Sequence, residues 1–179
     1  MKNNQLIPGE PLREGVDLIA DKKTGALIVV GSSAKLDKIS SGGINLYNCK
    51  FTPEMLCELA KMDGAIIVDQ NVDTILKANV HLNPSDLIET SQTGTRHRTA
   101  QRVSVETELD VIAVSDESGI IKVFSNNEVN ELEESSMILG RVNESLQSID
   151  RTRRRFDDAV IELGAVSYTH LTLPTIAGV

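Results

Sequence analysis

Two short stretches of this sequence carry residue types that could do chemistry together. The first, Asp63-Gly64-Ala65, places a carboxylate where a predicted helix ends and a predicted buried strand begins. Hard divalent cations prefer carboxylate oxygens, and a glycine beside the acid lets a ligand approach the backbone closely. An Asp-Gly turn before a strand is also common structural punctuation, so this stretch does not establish a metal site on its own.

The second stretch, Gly94-Thr95-Arg96-His97-Arg98-Thr99, gathers cations and hydroxyls at a predicted helix start. Helix N-termini present unpaired N–H groups and positive partial charge, and arginine adds planar charged donors that suit phosphate. Acids are ordinarily favoured in a first helical turn, so cations there cost stability unless an anion binds. The alternative is that the arginines pair with carboxylates such as Glu89 or Glu106.

Together the two stretches predict a metal-holding carboxylate and a phosphate-binding helix start. Nucleotidyl transfer needs this equipment, because its catalysis consists mainly of positioning and charge neutralisation. The sequence contains no Walker loop, no dinucleotide fingerprint and no Ser/His/Asp nucleophile arrangement.

Hydrophobic periodicity predicts the elements that must position these residues. We expect helix, strand, helix, hairpin, helix, hairpin, which indicates an α/β domain with a mixed sheet covered by helices. The predicted segments are a helix from Pro11 to before Gly25, strand Ala26–Val30, a polar loop from Ser32 to Asn48 that can include a helical turn, a helix from Thr52, strands Ala65–Val68 and Thr74–Leu82, a loop Asn83–Gly94, helix Thr95–Glu106, and strands Asp110–Ser115 and Ile120–Phe124.

Composition bounds the class of protein. The chain has 179 residues and a formal net charge of −8, which disfavours a broad non-specific nucleic-acid surface but not a local basic site. Cys49 and Cys57 have neither zinc-site nor redox-pair spacing, which fits a reducing cytosol. The sequence shows no signal peptide and no membrane-spanning run, so we expect a cytoplasmic protein without membrane partners.

The chain changes character after Asn126. Val142, Ile149, Phe156 and Leu163 recur every seven residues, which indicates a long helix that packs against a partner helix. We therefore predict a domain over residues 1–126 and the start of a helical linker over 127–165. Leu146 and Val160 occupy the alternate apolar positions of the heptads, and Arg153 interrupts that second row. The run 151–155 is either a solvated face or a contact for an acidic partner.

The last segment departs from the heptad pattern. Residues 166–179, Val166 to Val179, resemble the translation of a sequencing-library adapter, so we expect a non-native tail and a gene that continues past Ala165. A disordered native tail is the alternative.

Four segments carry a resemblance to a known family. The sequence resembles the diadenylate cyclases, and within them the DNA-integrity-scanning branch, over about Pro8 to Leu163. The matching segments are Pro11-Leu12-Arg13-Glu14-Gly15, Thr24-Gly25-Ala26-Leu27-Ile28-Val29, Leu59-Ala60-Lys61-Met62-Asp63-Gly64-Ala65 and Thr93-Gly94-Thr95-Arg96-His97-Arg98-Thr99-Ala100.

The resemblance implies an enzyme that condenses two ATP molecules into cyclic di-AMP and releases two pyrophosphates, with Mg²⁺ or Mn²⁺. It implies that Asp63 binds the metal and helps activate the attacking ribose hydroxyl, with Arg96 and His97 also catalytic. Thr95, Arg96, His97, Arg98 and Thr99 would hold phosphates, and Gly64, Ala65, Leu82 and Ser115 would line the nucleotide site.

The resemblance also implies assembly. Active sites would meet face to face across two subunits within an octamer. Family members bind branched DNA through a C-terminal domain that this sequence lacks, so we expect no tight binding of branched duplex by this chain. The turn Asp116-Glu117-Ser118-Gly119 and the loop Asn83-Pro84-Ser85-Asp86 depart from the family pattern near the expected site. The competing interpretations are a non-catalytic sensor of ATP or cyclic di-AMP and a structural scaffold.

Overall fold

The structure, a computed structural model, describes residues 5–170, with side chains described through Gly164. The chain divides into two units, one that ends at Ser135 and one that begins at Ser136. The elements are α1 Pro11–Asp21, β1 Ala26–Val30, α2 Ala34–Ile39, β2 Ser40–Ser41, β3 Ile44–Lys50, α3 Pro53–Leu59, β4 Ala65–Val68, β5 Thr74–Leu82, α4 Thr95–Thr107, β6 Asp110–Val114, β7 Ile121–Ser125, β8 Glu128–Leu132 and α5 Ser135–His170.

The first unit is built on one mixed sheet of eight strands. The strand order is β2-β5-β4-β1-β6-β7-β8, and β3 also pairs with β5. Only β1 and β4 run parallel, with Ile28 opposite Ile66, and the other pairings are antiparallel. The β1–β4 connection passes through helices, as parallel neighbours require.

Helices cover both faces of the sheet. Every residue of β1, β4 and β6 is buried, and alternate side chains enter two separate cores. Residues of α1 and α3 pack in the first core around Ile28 and Ile112, and residues of α2 and α4 pack in the second around Val29 and Val111. Continuous apolar runs in the central strands follow from this two-sided burial.

The motif at the start of α1 has a structural explanation. Gly15 faces α3, and a Cβ at this position would lie 2.9 Å from Leu56 Cδ2 and 3.2 Å from Pro53 Cα. The absence of a side chain therefore lets the two helices approach closely. Pro11 occupies the first helical turn, where its missing N–H leaves no bond unmade.

Arg13 is a buried arginine that ties the two ends of the first unit together. Its Nε donates to both carboxylate oxygens of Asp17, at 2.9 and 3.1 Å. Its Nη1 donates to the carbonyl of Leu6 and its Nη2 to the carbonyl of Glu133. Ser135 Oγ donates to Asp17 Oδ2 at 2.5 Å, so the last residue of the first unit is held by the same carboxylate.

The predicted fold class is confirmed: the sheet is mixed, helices cover it, and a long helix follows. Two predictions need correction. The segment 32–48, predicted as a loop, contains α2, β2 and most of β3, and the sheet continues past Asn126 through β8. None of the three missed strands, β2, β3 and β8, contains a fully buried residue, so they lack the buried apolar run that identifies a central strand. The first unit consequently extends to Ser135 rather than to residue 126.

Within the described residues, the second unit consists of helix α5. Its heptad residues Val142, Ile149, Phe156 and Leu163 are between 47% and 72% exposed in the described chain. The expected partner helix stays a prediction. Residues 171–179 lie outside the described residues, so the expected non-native tail also stays a prediction. Among residues 5–170, no helix is both long enough and apolar enough to span a bilayer.

We expect Arg13→Ala to lower the free energy of unfolding by about 3 kcal/mol, because it removes a buried ion pair with Asp17 and the hydrogen bonds to the carbonyls of Leu6 and Glu133. Urea denaturation of the variant measures this loss. Lys61→Ala is the matched control, since Lys61 forms an exposed ion pair with Glu58 that contributes little. Equal stability losses in the two variants would contradict a clamping role for Arg13.

Candidate functional site

The sheet topology brings the residues singled out from the sequence to one edge of the sheet. The parallel strands β1 and β4 both begin there, so Gly25 and Gly64 lie at neighbouring strand starts. The antiparallel strands β5 and β6 end at the same edge, where Val80 is opposite Ala65 and Val114 is opposite Ala26. Segments far apart in sequence are therefore neighbours in space.

A cavity of about 770 Å³ lies at this edge, a volume within the range of small-molecule sites. It contains nine of the ten site residues predicted from the sequence. Its lining includes Asp63, Gly64, Ala65, Leu82, Thr95, Arg96, His97, Thr99 and Ser115, together with Gly25, His81, Thr93, Asp116, Glu117 and Lys122. Arg98, on the first turn of α4, is exposed and does not line the cavity of the single chain.

Asp63 stands on the cavity wall as an exposed carboxylate. Within the described part of the chain, no hydrogen bond or ion pair engages its side chain. It does not cap a helix or close a turn through its side chain, as a purely structural Asp-Gly turn would lead one to expect. The carboxylate is therefore available to a ligand.

Gly64 is required by a close backbone contact. A Cβ at Gly64 would lie 2.5 Å from the carbonyl carbon and 2.6 Å from the Cα of Asn79. Asn79 has a φ of +56° at a register shift between β4 and β5, which is a bulge beside the site. The sequence suggested that Gly64 gives a ligand access to the backbone, and the structure shows that the neighbouring strand makes this approach.

The N-terminus of α4 opens onto the cavity without a side-chain cap. Gly94 precedes it with a φ of +83°, no side chain caps the helix, and no acid lies in the first turn. The first intrahelical bond runs from the amide of Arg98 to the carbonyl of Gly94. The amides of Thr95, Arg96 and His97 therefore have no intrahelical partner, which is the arrangement that favours an anion.

Arg96 lies across Gly25 and is paired with an acid. A Cβ at Gly25 would lie 2.7 Å from Arg96 Nη1, so a side chain at this position would displace the guanidinium. Arg96 Nη1 lies 3.3 Å from Asp116 Oδ1. The pKa of Asp116 is lowered, first by a backbone hydrogen bond to its carboxylate and second by the charge of Arg96. The sequence-based alternative named Glu89 or Glu106 as partners, and the observed partner is instead Asp116.

His97 is partly buried beside other cations. Burial lowers its pKa below 6.5, and the charges of Lys122 and Arg96 lower it further, while Asp116 opposes them. The imidazole is therefore neutral over a wider pH range than in an unfolded chain. A neutral ring donates from one nitrogen and accepts at the other.

The loop between β5 and α4 is fastened to α4 and β7. Arg102 donates from Nη1 to Asp86 Oδ1 at 2.5 Å and from Nε to the carbonyl of Ile88 at 3.0 Å. Glu106 accepts from the amide of Ser85, which explains why it does not pair with the arginines of the first turn. Residues 83–86, which depart from the family pattern, therefore belong to a loop that hydrogen bonds hold in place.

Sequence reasoning missed four charged or glycine positions of the cavity: Gly25, Asp116, Glu117 and Lys122. Gly25 lay in a segment that carried the family resemblance, and its position before a buried strand was the available signal. Asp116 and Glu117 were noticed only as an unusually acidic turn. Lys122 gave no signal, because a lone lysine in an amphipathic strand looks like an ordinary solvent-facing residue.

The donor set fits a metal bound jointly with a phosphorylated ligand. Within the described residues, no group of three or more His, Cys, Asp or Glu side chains forms a metal cluster. Mg²⁺ is commonly held by one or two carboxylates together with substrate phosphates, so the unpartnered Asp63 is compatible with such a site. A metal site built from protein side chains alone does not fit these residues.

We expect Gly64→Ala to destabilise the first unit by about 2 kcal/mol, because its methyl group would meet the Asn79 backbone rather than a movable side chain. Urea unfolding followed by circular dichroism measures the change. Gly140→Ala is the control. Gly140 lies in helix α5, and a Cβ added there meets nothing within 4 Å. An unchanged midpoint for Gly64→Ala would contradict the contact.

We expect His97 to titrate below 6.5 in the folded protein, and its pKa to rise when tripolyphosphate binds, because an anion stabilises the charged ring. In the interval between the folded pKa and 6.5, the unfolded state binds more protons than the folded one. The His97 contribution to stability is therefore complete above 6.5 and is lost as pH falls through that interval. Imidazole NMR titration, assigned with His97→Gln, measures both effects, and a free-protein pKa at or above 6.5 would refute them.

Comparisons with known proteins show the family of this chain. The family model described as DisA bacterial checkpoint controller nucleotide-binding, abbreviated DAC, matches residues 13–129. The DNA integrity scanning protein DisA of Kineococcus radiotolerans is 45% identical over 166 residues, and the DisA of Clostridioides difficile is 42% identical over 164 residues. These alignments cover 93% and 92% of this chain but 46% of each relative, so the chain spans about half the length of the curated relatives it matches.

Two solved structures share the fold. A double mutant of DacA from Staphylococcus aureus aligns with a TM-score of 0.56 at 27% identity, over 73% of this chain and 89% of that one. A hypothetical membrane spanning protein from Bacillus cereus aligns with a TM-score of 0.59 at 25% identity, over 69% of this chain and 62% of that one. The family match spans the cavity and all the elements that build it, and the chain belongs to the DisA bacterial checkpoint controller nucleotide-binding (DAC) family.

Proposed function

We propose that this chain is a diadenylate cyclase domain that condenses two ATP molecules into cyclic di-AMP and releases two pyrophosphates. One observation carries the proposal: the unpartnered carboxylate of Asp63 and the uncapped, cation-rich start of α4 line the same cavity. A phosphate-binding helix start supplies positioning and charge neutralisation, and a nearby carboxylate supplies a site for metal and proton transfer.

In this proposal the triphosphate lies against the first turn of α4. The free amides of Thr95, Arg96 and His97 and the hydroxyl of Thr99 donate to phosphate oxygens. Arg96 contributes a charged donor, and Arg98, which the single chain leaves outside the cavity, would act only on a nucleotide that extends beyond it. The residues Gly64, Ala65, Leu82 and Ser115 line the remainder of the nucleotide site.

Asp63 would hold Mg²⁺ or Mn²⁺ together with phosphate oxygens. The metal supplies charge neutralisation at the phosphates and lowers the pKa of a bound hydroxyl. Asp63 would also accept a hydrogen bond from the ribose 3′-hydroxyl and favour loss of its proton. These two tasks need a negatively charged oxygen at this position.

Each half-reaction forms one bond and breaks one. The 3′-oxygen of one nucleotide bonds to the α-phosphorus of the other, the bond from that phosphorus to the bridging oxygen breaks, and pyrophosphate leaves with the electron pair. The hydroxyl proton passes to Asp63 and then to solvent. A second, equivalent transfer closes the ring, so the product contains two phosphodiester bonds and two pyrophosphates are released.

Ring closure requires two nucleotides in opposed orientations. We propose that each chain holds one ATP and that two copies face each other, within the octamer that the family resemblance implies. Asp63 of one copy would then act on a hydroxyl whose target phosphate is held by the other copy. A dilution series with a fixed ATP concentration tests this, because the specific activity of a two-chain site falls as the copies separate.

The DNA-integrity context belongs to the longer relatives. Those relatives are named DNA integrity scanning proteins, and this chain spans less than half of their length. We propose the same cellular role for the protein of which this domain is a part, with branched DNA bound by a region outside this sequence.

A non-catalytic sensor of ATP or cyclic di-AMP is the second candidate, and the ion pair between Arg96 and Asp116 favours it. An acid already paired with the arginine competes with phosphate and could reduce turnover. Incubation with ATP and Mn²⁺, followed by mass analysis for cyclic di-AMP and pyrophosphate, separates the two. Binding of ATP without either product would support the sensor and overturn the cyclase.

We expect Asp63→Asn to reduce cyclic di-AMP synthesis by at least about 100-fold while the fold and most ATP binding persist. The amide keeps the shape but has no charge to hold a cation or favour deprotonation, and the phosphate donors lie on α4. Product formation, unfolding midpoint and binding of a non-hydrolysable ATP analogue are measured together.

Asp21→Asn is the matched control, because Asp21 is an exposed acid at the end of α1 and does not line the cavity. It should leave all three measurements unchanged. A folded Asp63→Asn protein that makes product at the rate of the unaltered chain would remove Asp63 from the mechanism.

A further inference from the structure

The cations of the cavity are unequally compensated. Arg96 faces the carboxylate of Asp116 at 3.3 Å, so a counter-charge already neutralises much of its charge. His97 has a lowered pKa and is largely neutral at pH 7. Lys122 also lines the cavity, and within the described part of the chain no carboxylate lies within ion-pair distance of its ammonium. Lys122 is thus a cation of the cavity lining that forms no ion pair within the described residues.

The position of Lys122 is fixed by strand and loop. It lies in β7, half-buried, opposite Ala113 of β6 and Glu131 of β8. Glu131 shares its face of the sheet, but the ammonium turns away from this acid and donates instead to Gln92 Oε1 at 3.0 Å. Gln92 belongs to the loop that leads to the start of α4, so its neutral oxygen holds the ammonium at the cavity.

This arrangement costs free energy unless an anion completes it. An ammonium has three N–H donors, and Gln92 accepts from one of them. A partly desolvated cation without a counter-charge is unfavourable, and a nearby anion relieves the cost. Lys122 lines the same cavity as Thr95, Arg96 and His97 of the first turn of α4, where phosphate is expected.

We propose that Lys122 is a further phosphate-binding residue of the nucleotide site, positioned by Gln92. The inference rests on the proposed function, since it assigns an additional contact to the same phosphorylated substrate. Lys122 supplies a cation without an ion-pair partner, whereas Asp116 already offsets the charge of Arg96. Gln92 acts as a positioning residue, because it touches the ammonium rather than the substrate.

The test compares Lys122→Gln with the unaltered chain by calorimetry. A non-hydrolysable ATP analogue should bind about tenfold more weakly, the effect of one charge-assisted hydrogen bond, while adenosine binds equally. Lys122→Arg should retain most of the affinity. Lys35→Gln is the matched control: Lys35 is exposed, pairs with Glu108 and lies outside the cavity, so its loss should change neither affinity.

A second measurement reports the geometry without a nucleotide. The pKa of His97 should rise in Lys122→Gln, because a repelling charge is removed, and stay unchanged in Lys35→Gln. Gln92→Ala should weaken analogue binding by about twofold to threefold, because the ammonium keeps its charge and loses only its support.

The outcomes separate this inference from the proposed function. Analogue affinity within twofold of the unaltered chain in Lys122→Gln overturns the inference and leaves the cyclase proposal standing. If Lys122→Gln and Glu131→Gln lower the unfolding midpoint equally and neither changes affinity, Lys122 serves the sheet, and the inference fails. If the unaltered chain binds tripolyphosphate but not the ATP analogue, the cyclase proposal fails, and weaker tripolyphosphate binding by Lys122→Gln still supports the phosphate contact.

Discussion

The parallel pairing of β1 with β4 is the constraint on which the rest of the first unit depends. It brings two strand starts to one edge, and the antiparallel neighbours β5 and β6 then end at that same edge. Four short segments from distant parts of the sequence meet there only because of this mixed order. Because these segments lie close together, two positions of the site have no room for a side chain next to a neighbouring group. Gly64 lies against the Asn79 backbone, and Gly25 lies against the Arg96 side chain.

The fold was predictable where burial is two-sided. β1, β4 and β6 are short apolar runs bounded by glycine or acid, and the hairpins that contain β4 and β6 were identified with them. β3 and β8 were not identified, because a strand at the margin of a sheet takes its hydrogen bonds from a neighbour and needs no apolar run of its own. The partner of a strand at the margin of a sheet is set by the arrangement of the whole sheet, so the residues of that strand alone do not identify it.

The candidate site was predictable to a similar extent. The run Thr95–Thr99 stood out because cations at a helix start conflict with local preferences, and Asp63 stood out as a carboxylate beside a glycine at a strand start. That these residues lie close together could be known only from the order of the strands in the sheet. The ion pair of Arg96 could be known only once the acidic turn after β6 was seen to lie against the start of α4. No local pattern connects residue 96 to residue 116, so the sequence-based choice of Glu89 or Glu106 favoured nearness along the chain over nearness in space.

The buried guanidinium of Arg13 also has a consequence for folding kinetics. Its contact with the Glu133 carbonyl joins residues 120 positions apart, so it closes a loop that contains nearly the whole first unit. Loop-closure entropy opposes such a contact until the intervening strands have paired. On a ribosome, Arg13 emerges long before its partner carbonyl, and α1 must wait for β8 before its arginine is satisfied. The contact therefore forms late and acts chiefly as a barrier to unfolding rather than as a nucleus for folding.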